Sequence, residues 1–212
     1  MSVCSASRDL KGEKMNYLAH IYLADNSEEN MLGNFLGDFV NKSLEDEFQY
    51  SIKQGIFMHK KLDTFTDSHP DFLRSRKRIS NTNRRLAGVL IDIFYDHFLA
   101  KNWSDYSSIS LEEYADNFYN ILKKFSNCLP DKLVKRMPIM IDENWLVSSR
   151  EISGIERSLE RISRRFSNTK HPLVNPIDEL INNYEEFESD FKCFYTDAIE
   201  YAQKLRHVQK IT

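Results

Sequence analysis

The segment Val89-Leu-Ile-Asp92-Ile-Phe-Tyr-Asp96-His97-Phe-Leu-Ala100 sets the strongest limit on what this chain can fold into. At about 100° per residue, Val89, Ile93 and Ala100 fall on one side of a helix and Leu90, Phe94 and Phe98 on another. A helix that is apolar nearly all round has to be surrounded by protein. An unpaired carboxylate in such a setting is costly. Asp92, Asp96 and His97 therefore need cations, hydrogen-bond donors or a metal. Asp96 and His97 flank the Val89/Ile93/Ala100 stripe on its two edges, so both can reach one point beside the helix.

Composition narrows the class. Six glycines and five prolines in 212 residues are about 5% of the chain, where roughly 12% is ordinary. An all-β sandwich, rich in turns, is excluded, and 41% hydrophobic with 29% charged residues suits amphipathic helices. The expectation is an all-α fold, a single-domain helical bundle. Residues 1–14 are small, polar and aperiodic, and are read as a disordered N-terminal extension ahead of a second methionine, Met15. The helical domain is expected over residues 15–206. The first residues lack the apolar core of a signal peptide, and no run approaches the length of a transmembrane helix. Cys4, Cys128 and Cys193 have neither disulfide-framework nor zinc-site spacing. The reading is a cytoplasmic protein without a membrane partner. A net charge of −3 gives no overall attraction to nucleic acid, so an anionic partner has to meet a local cluster.

Pro70 closes a helix that starts near Glu45. A second helix is expected from Asp71 to about Ser80, then cap-forming Asn81-Thr82-Asn83, and a third helix from Arg84 to about Trp103. Ser110-Leu-Glu-Glu113 resembles a capping box and opens a helix to about Phe125. Pro130 and Pro138 bracket a shorter, less regular piece. Helical periodicity runs from about Asp142 to Phe166, and a long terminal helix from Ile177 to about Lys204.

Within the Glu45–Ser68 helix, Ile52, Ile56, His59 and Asp63 share a stripe about 60° wide. His59 and Asp63 thus sit one turn apart on an inward face. His20, Asp38, Asp96 and His97 also lie on mostly apolar segments. Imidazole and carboxylate ligands without thiolates suit Mn²⁺, Mg²⁺ or Fe²⁺. Such an ion activates water and polarises a phosphoryl oxygen, while a neighbouring aspartate or histidine serves as acid or base. The bland readings stay open: a structural His59–Asp63 pair, His69 and Asp67 as caps, Asp92 paired with Arg84 or Arg85. Two basic runs stand out: Arg74, Arg76, Lys77, Arg78, Arg84 and Arg85, then Arg157, Arg161, Arg164 and Arg165. They are either solvated faces or docking sites for an anionic partner or phosphate group, which arginine's fork suits. Neither is interleaved with aromatics, so stacking on single-stranded nucleic acid is disfavoured.

Met15-Asn-Tyr-Leu-Ala-His20-Ile-Tyr-Leu-Ala24, Gly33-Asn-Phe-Leu-Gly-Asp38-Phe-Val40, Gly55-Ile-Phe-Met-His59-Lys-Lys-Leu-Asp63-Thr-Phe-Thr-Asp67 and Asp92-Ile-Phe-Tyr-Asp96-His97-Phe-Leu-Ala-Lys-Asn-Trp103 together resemble the acyl carrier protein phosphodiesterase family. Arg84-Arg85, Glu143-Asn-Trp145-Leu and Arg164-Arg165 fit more weakly, and the similarity spans roughly Met15 to Lys204. The resemblance implies an all-helical, HD-phosphohydrolase-like enzyme. It would cleave the phosphodiester joining 4′-phosphopantetheine to a serine of holo-acyl carrier protein, using a divalent cation, preferably Mn²⁺. It points to Asp38 as the essential aspartate. Asp96-His97 departs from the His-Asp order of an HD signature. The combined expectation has His20, Asp38, His59 and Asp96 as metal ligands. Asp38, Asp63 and His97 would do acid–base or orienting work. Arg74, Arg76, Arg78, Arg84 and Arg85 would dock the acidic carrier. The rivals are an HD-like nucleotide phosphohydrolase and a non-catalytic carrier-binding module.

Overall fold

A computed structural model describes residues 16–167 and 172–209; the expected extension at residues 1–14 lies outside the described residues. Among the described residues every regular element is a helix. The centre is α6 (Ala87–Lys101), entered through a 3₁₀ turn at Arg84–Leu86, and every side chain from Leu90 to Ala100 is buried. Packed around it are α1 (Tyr17–Leu23), α5 (Pro70–Arg78), α10 (Ile152–Phe166) and α12 (Tyr184–Gln209). The contact with α12 is largely aromatic: Phe94 meets Phe187, Tyr95 meets Phe191 and Phe194, and Phe98 meets Tyr184 and Phe191.

The ionisable groups on α6 are taken up by this packing. Asp96 accepts the Leu18 N–H at 2.9 Å on one carboxylate oxygen and the Ala19 N–H at 3.0 Å on the other. These are among the donors that the first turn of any helix leaves without an internal partner. Asn16, at the N-cap of α1, supplies no side-chain bond of its own. A residue 78 positions away therefore caps α1. The His97 Nδ1–H donates to the Ser149 carbonyl at 2.8 Å, and Nε2 bonds to the Tyr184 hydroxyl at 2.7 Å. It ties α6 to α12 and to the segment ahead of α10.

Helices α2 (Glu28–Leu36) and α4 (Tyr50–Ser68) form the most intimate pair. Gly33 and Gly55 make this possible. A Cβ on Gly33 would lie 2.1 Å from the Ile52 carbonyl oxygen, and one on Gly55 would lie 2.3 Å from that of Asn30. The backbones touch where any side chain would hold them apart. Ser27 caps α2 by accepting the Asn30 N–H.

Several boundaries differ from the sequence reading. The chain breaks between α3 (Lys42–Glu45), capped by Asn41, and α4, so α4 begins at Tyr50. Asn83 is no helix cap: its buried amide exchanges two hydrogen bonds with the Val174 backbone and donates to Glu179, pinning the loop ahead of α11 (Pro176–Asn182). The stretch between the prolines is a regular helix, α8 (Asp131–Asp142), with Pro138 on its exposed side, where water can take the carbonyl that proline leaves unpaired. The expected helix from Asp142 to Phe166 is interrupted, because Asn144 turns left-handed at φ 45° and the chain restarts as α9 (Trp145–Ser148) and then α10. The terminal helix is likewise two, α11 and α12, separated at Asn183. The Ser110 cap is as expected: its side chain accepts the Glu113 N–H at 3.1 Å at the start of α7 (Leu111–Lys124). No helix among the described residues is long and apolar enough to cross a membrane.

Replacing Asp96 by alanine strands two buried amides of α1. Urea unfolding of Asp96→Ala should show a loss of about 1–3 kcal/mol; a change within 0.3 kcal/mol of wild type would remove Asp96 from its capping role.

Candidate metal centre

Helices α1, α2 and α4 converge on two stacked imidazoles. His20 comes from the last turn of α1 and His59 from the middle of α4, with ring centroids 4.0 Å apart and planes inclined by 26°. Both are anchored through Nδ1 by one residue of α2. The His20 Nδ1–H donates to the Asn34 side-chain oxygen at 2.9 Å, and the His59 Nδ1–H donates to the Asn34 backbone carbonyl at 2.8 Å. An imidazole held at Nδ1 presents Nε2 in a fixed direction. The two Nε2 atoms face the same carboxylate: His20 lies 3.4 Å from Asp63 Oδ1 and His59 lies 3.4 Å from Asp63 Oδ2. Asp38, one residue beyond the C-cap of α2, brings Oδ1 to 3.5 Å from His59 Nε2. Gly37 makes room for this, since a Cβ there would sit 2.1 Å from the His59 ring.

These nitrogen–oxygen separations exceed those of good hydrogen bonds. One ligand atom from each of His20, His59 and Asp63 nevertheless lies within 4.8 Å of the other two. The Asp38 Oδ2 atom is buried with no hydrogen-bond partner, which is unusual for a carboxylate oxygen. Imidazole nitrogens with anchored outer faces, a bridging carboxylate and a further buried oxygen fit a divalent cation of the Mn²⁺ or Fe²⁺ kind.

Electrostatics sharpen this. Burial alone would disfavour a charged His59, but Asp38 and Asp63 outweigh it and raise its pKa to about 10. Burial and the facing His59 lower that of His20. Burial would raise Asp63, yet the two imidazoles hold it well below the usual carboxylate range. The cluster thus stores one imidazolium beside one neutral ring, and it is this proton that a bound cation would displace.

His20, Asp38, His59 and Asp63 are therefore brought together, whereas Asp96 and His97 are not. Asp96, expected as a ligand, instead accepts one backbone amide of α1 on each of its oxygens. Burial, reinforced by Asp92 and Asp38, raises its pKa well above that of an ordinary carboxylate against the pull of those amides. His97, expected in acid–base or orienting work, has both nitrogens bonded to Ser149 and Tyr184. Burial lowers its pKa. His69 serves as the N-cap of α5, accepting the Asp71 N–H at 3.3 Å, and pairs with Asp197 at 3.1 Å. Asn34, which anchors both rings, lies inside the Gly33–Asp38 block, and its four-residue spacing from Asp38 was the available signal.

Much of the expected docking run serves the fold. Arg74 and Arg78 reach the buried Asp190 of α12, at 2.7 and 3.4 Å, and Arg74 also pairs with Asp71. Arg84 donates to the carbonyls of Arg76 and Lys77 at 3.1 and 3.0 Å, closing the end of α5. Arg85 stays exposed.

Fold and cluster together define an all-helical protein with a buried mixed imidazole–carboxylate centre. A family model described as acyl carrier protein phosphodiesterase matches residues 15–198, and the chain belongs to that family. Relatives bearing that name, which is that of a phosphoric diester hydrolase, are similar over nearly their whole length. That of Photorhabdus laumondii is 29% identical over 194 residues, covering 89% of this chain and 96% of the relative. That of Escherichia coli strain CFT073 is 30% identical over 191 residues, 90% and 98% respectively. That of Serratia proteamaculans is 30% identical over 190 residues, 89% and 98%. No solved structure matches the chain.

The raised pKa of His59 fixes the sign of a pH effect. A group whose pKa is higher folded than unfolded contributes stability below its unfolded value, near 6.5, and that stability is lost as pH rises through the folded value, about 10. In chelator-treated protein, the Tm should fall more steeply between these limits in wild type than in His59→Gln. Parallel curves would contradict the assignment of a stored proton to His59.

Proposed function

We propose that the chain is a divalent-cation-dependent phosphodiesterase that hydrolyses the bond joining 4′-phosphopantetheine to the serine of holo-acyl carrier protein. The products are apo-carrier and free 4′-phosphopantetheine. The observation that carries this reading is the pair of Asn34-anchored imidazoles turned on Asp63. Membership of the family and the names of the relatives supply the substrate.

His20, His59 and Asp63 would hold the cation, with Asp38 offering its buried oxygen. A cation there, Mn²⁺ above all, lowers the pKa of water and withdraws charge from a phosphoryl oxygen. Asn34 holds the two rings in the orientation that keeps both Nε2 atoms on one side. To serve as a ligand His59 would release its Nε2 proton to the medium. The Asp38 oxygen not turned to the cation would accept a proton from the attacking water. The water oxygen bonds to phosphorus, the bond from phosphorus to the serine oxygen breaks, and the serine oxygen takes a proton from the medium, to which Asp38 releases the one it accepted. Burial of the cluster among α1, α2 and α4 keeps these charges strongly coupled.

Mass spectrometry of holo-carrier incubated with the protein and Mn²⁺ tests the proposal. The expected result is loss of the whole prosthetic group, abolished by chelator. Asp38→Asn and Asp63→Asn should each lower the rate by about 10²–10⁴-fold with unchanged helical circular dichroism. Near wild-type turnover in both variants would overturn the assignment of residues. Loss of a thioester-linked acyl chain alone, or hydrolysis of nucleotides with none of holo-carrier, would overturn the reaction.

A further inference from the structure

Arg161 is a half-buried charged side chain that the imidazole–carboxylate centre does not use. It projects from α10 and lies over the Trp145 ring, 4.4 Å from its centroid, with only 21% of the side chain exposed. One terminal nitrogen donates to Glu143 at 2.7 Å and the other to the Ser158 hydroxyl at 2.9 Å. Its Nε is buried with no hydrogen-bond partner. A buried donor left without a partner is costly. A guanidinium kept in place only to pair with Glu143 has no need of that arrangement.

The surroundings say what would satisfy it. Arg161 borders a small cavity together with Tyr17, Asp96, Trp145, Ser149 and Ser158. Tyr17 belongs to the same helix as His20, one turn earlier. Its hydroxyl is within electrostatic reach of Asp38 and Asp96 and also of Arg136 and Arg161. Tyr17 thus lines the cavity and reaches electrostatically to Asp38, which itself lies 3.5 Å from His59 Nε2. The Nε and the Ser158-bonded nitrogen form one edge of the guanidinium fork, a shape that matches two oxygens of a phosphoryl group. Trp145 and Glu143 already hold the plane of the fork, so little side-chain freedom is lost on binding.

We propose that Arg161, with Ser158 and Tyr17 at its side, is an anion-binding residue that takes a non-bridging oxygen of the phosphodiester beside the imidazole–carboxylate centre. This rests on the phosphodiesterase reading and adds the group that recognises the phosphate.

Inorganic phosphate is the probe. Calorimetric titration of chelator-treated protein measures its binding without any turnover. Wild type should bind phosphate. Arg161→Lys, which keeps a charge for Glu143 but has no forked edge, should bind it about tenfold or more weakly at a Tm close to wild type. With holo-carrier as substrate, Arg161→Ala should lose kcat/KM and regain part of it on addition of guanidinium, which a purely structural role would not allow. The proposal is overturned if wild type binds no phosphate, if Arg161→Lys binds it as wild type does, or if guanidinium restores nothing to a folded Arg161→Ala. If phosphate binding depends on Arg161 while holo-carrier is left intact by wild type, the anion site stands and the carrier-directed function falls.

Discussion

Two buried imidazoles stacked face to face must be told which way to point, and the rest of the structure depends on how that is done. Asn34 does it with two bonds, one from its side chain to His20 and one from its backbone to His59. The second is available only because α2 and α4 approach through Gly33 and Gly55, which brings the carbonyls of one helix against the other. The first requires α1 to stand at a fixed height, and Asp96 sets that height by holding the first amides of α1. A packing constraint, a tertiary cap and a pair of hydrogen bonds thus combine to turn two Nε2 atoms toward one carboxylate.

The same economy of buried charge runs through the molecule. Asp190 is satisfied by Arg74, Arg78 and Ser75, Glu179 by Ser80 and Asn83, and His97 by Ser149 and Tyr184. Polar groups in this interior are, as a rule, bonded. Against that background Asp38 Oδ2 and Arg161 Nε are among the exceptions.

The all-α class and the one-turn relation of His59 to Asp63 were legible in the sequence because helical periodicity reports directly which residues share a face. It does not report what stands opposite. Asp96 and His97 were correctly read as buried groups in need of partners, but the partners, backbone amides of α1 and the Tyr184 hydroxyl, are 77 to 87 positions away. The arginine run was visible as charge, while Asp190, which claims two of its members, lies 112 to 116 positions further on and gave no local sign. Asn144 and Asn183 end helices through backbone conformation, and the side-chain pattern runs on past both. Asn34 sat within a block already quoted for its aspartate; its backbone carbonyl, the part that holds His59, has no signature in sequence.

The central claim is that the two Nε2 atoms and Asp63 are ligands of one divalent cation. Anomalous diffraction at the manganese edge, from crystals grown with Mn²⁺, tests it most directly. A single strong peak is expected within bonding distance of His20 Nε2, His59 Nε2 and an Asp63 oxygen. The absence of a peak there, or a peak beside Asp92 or Asp96 instead, would contradict it.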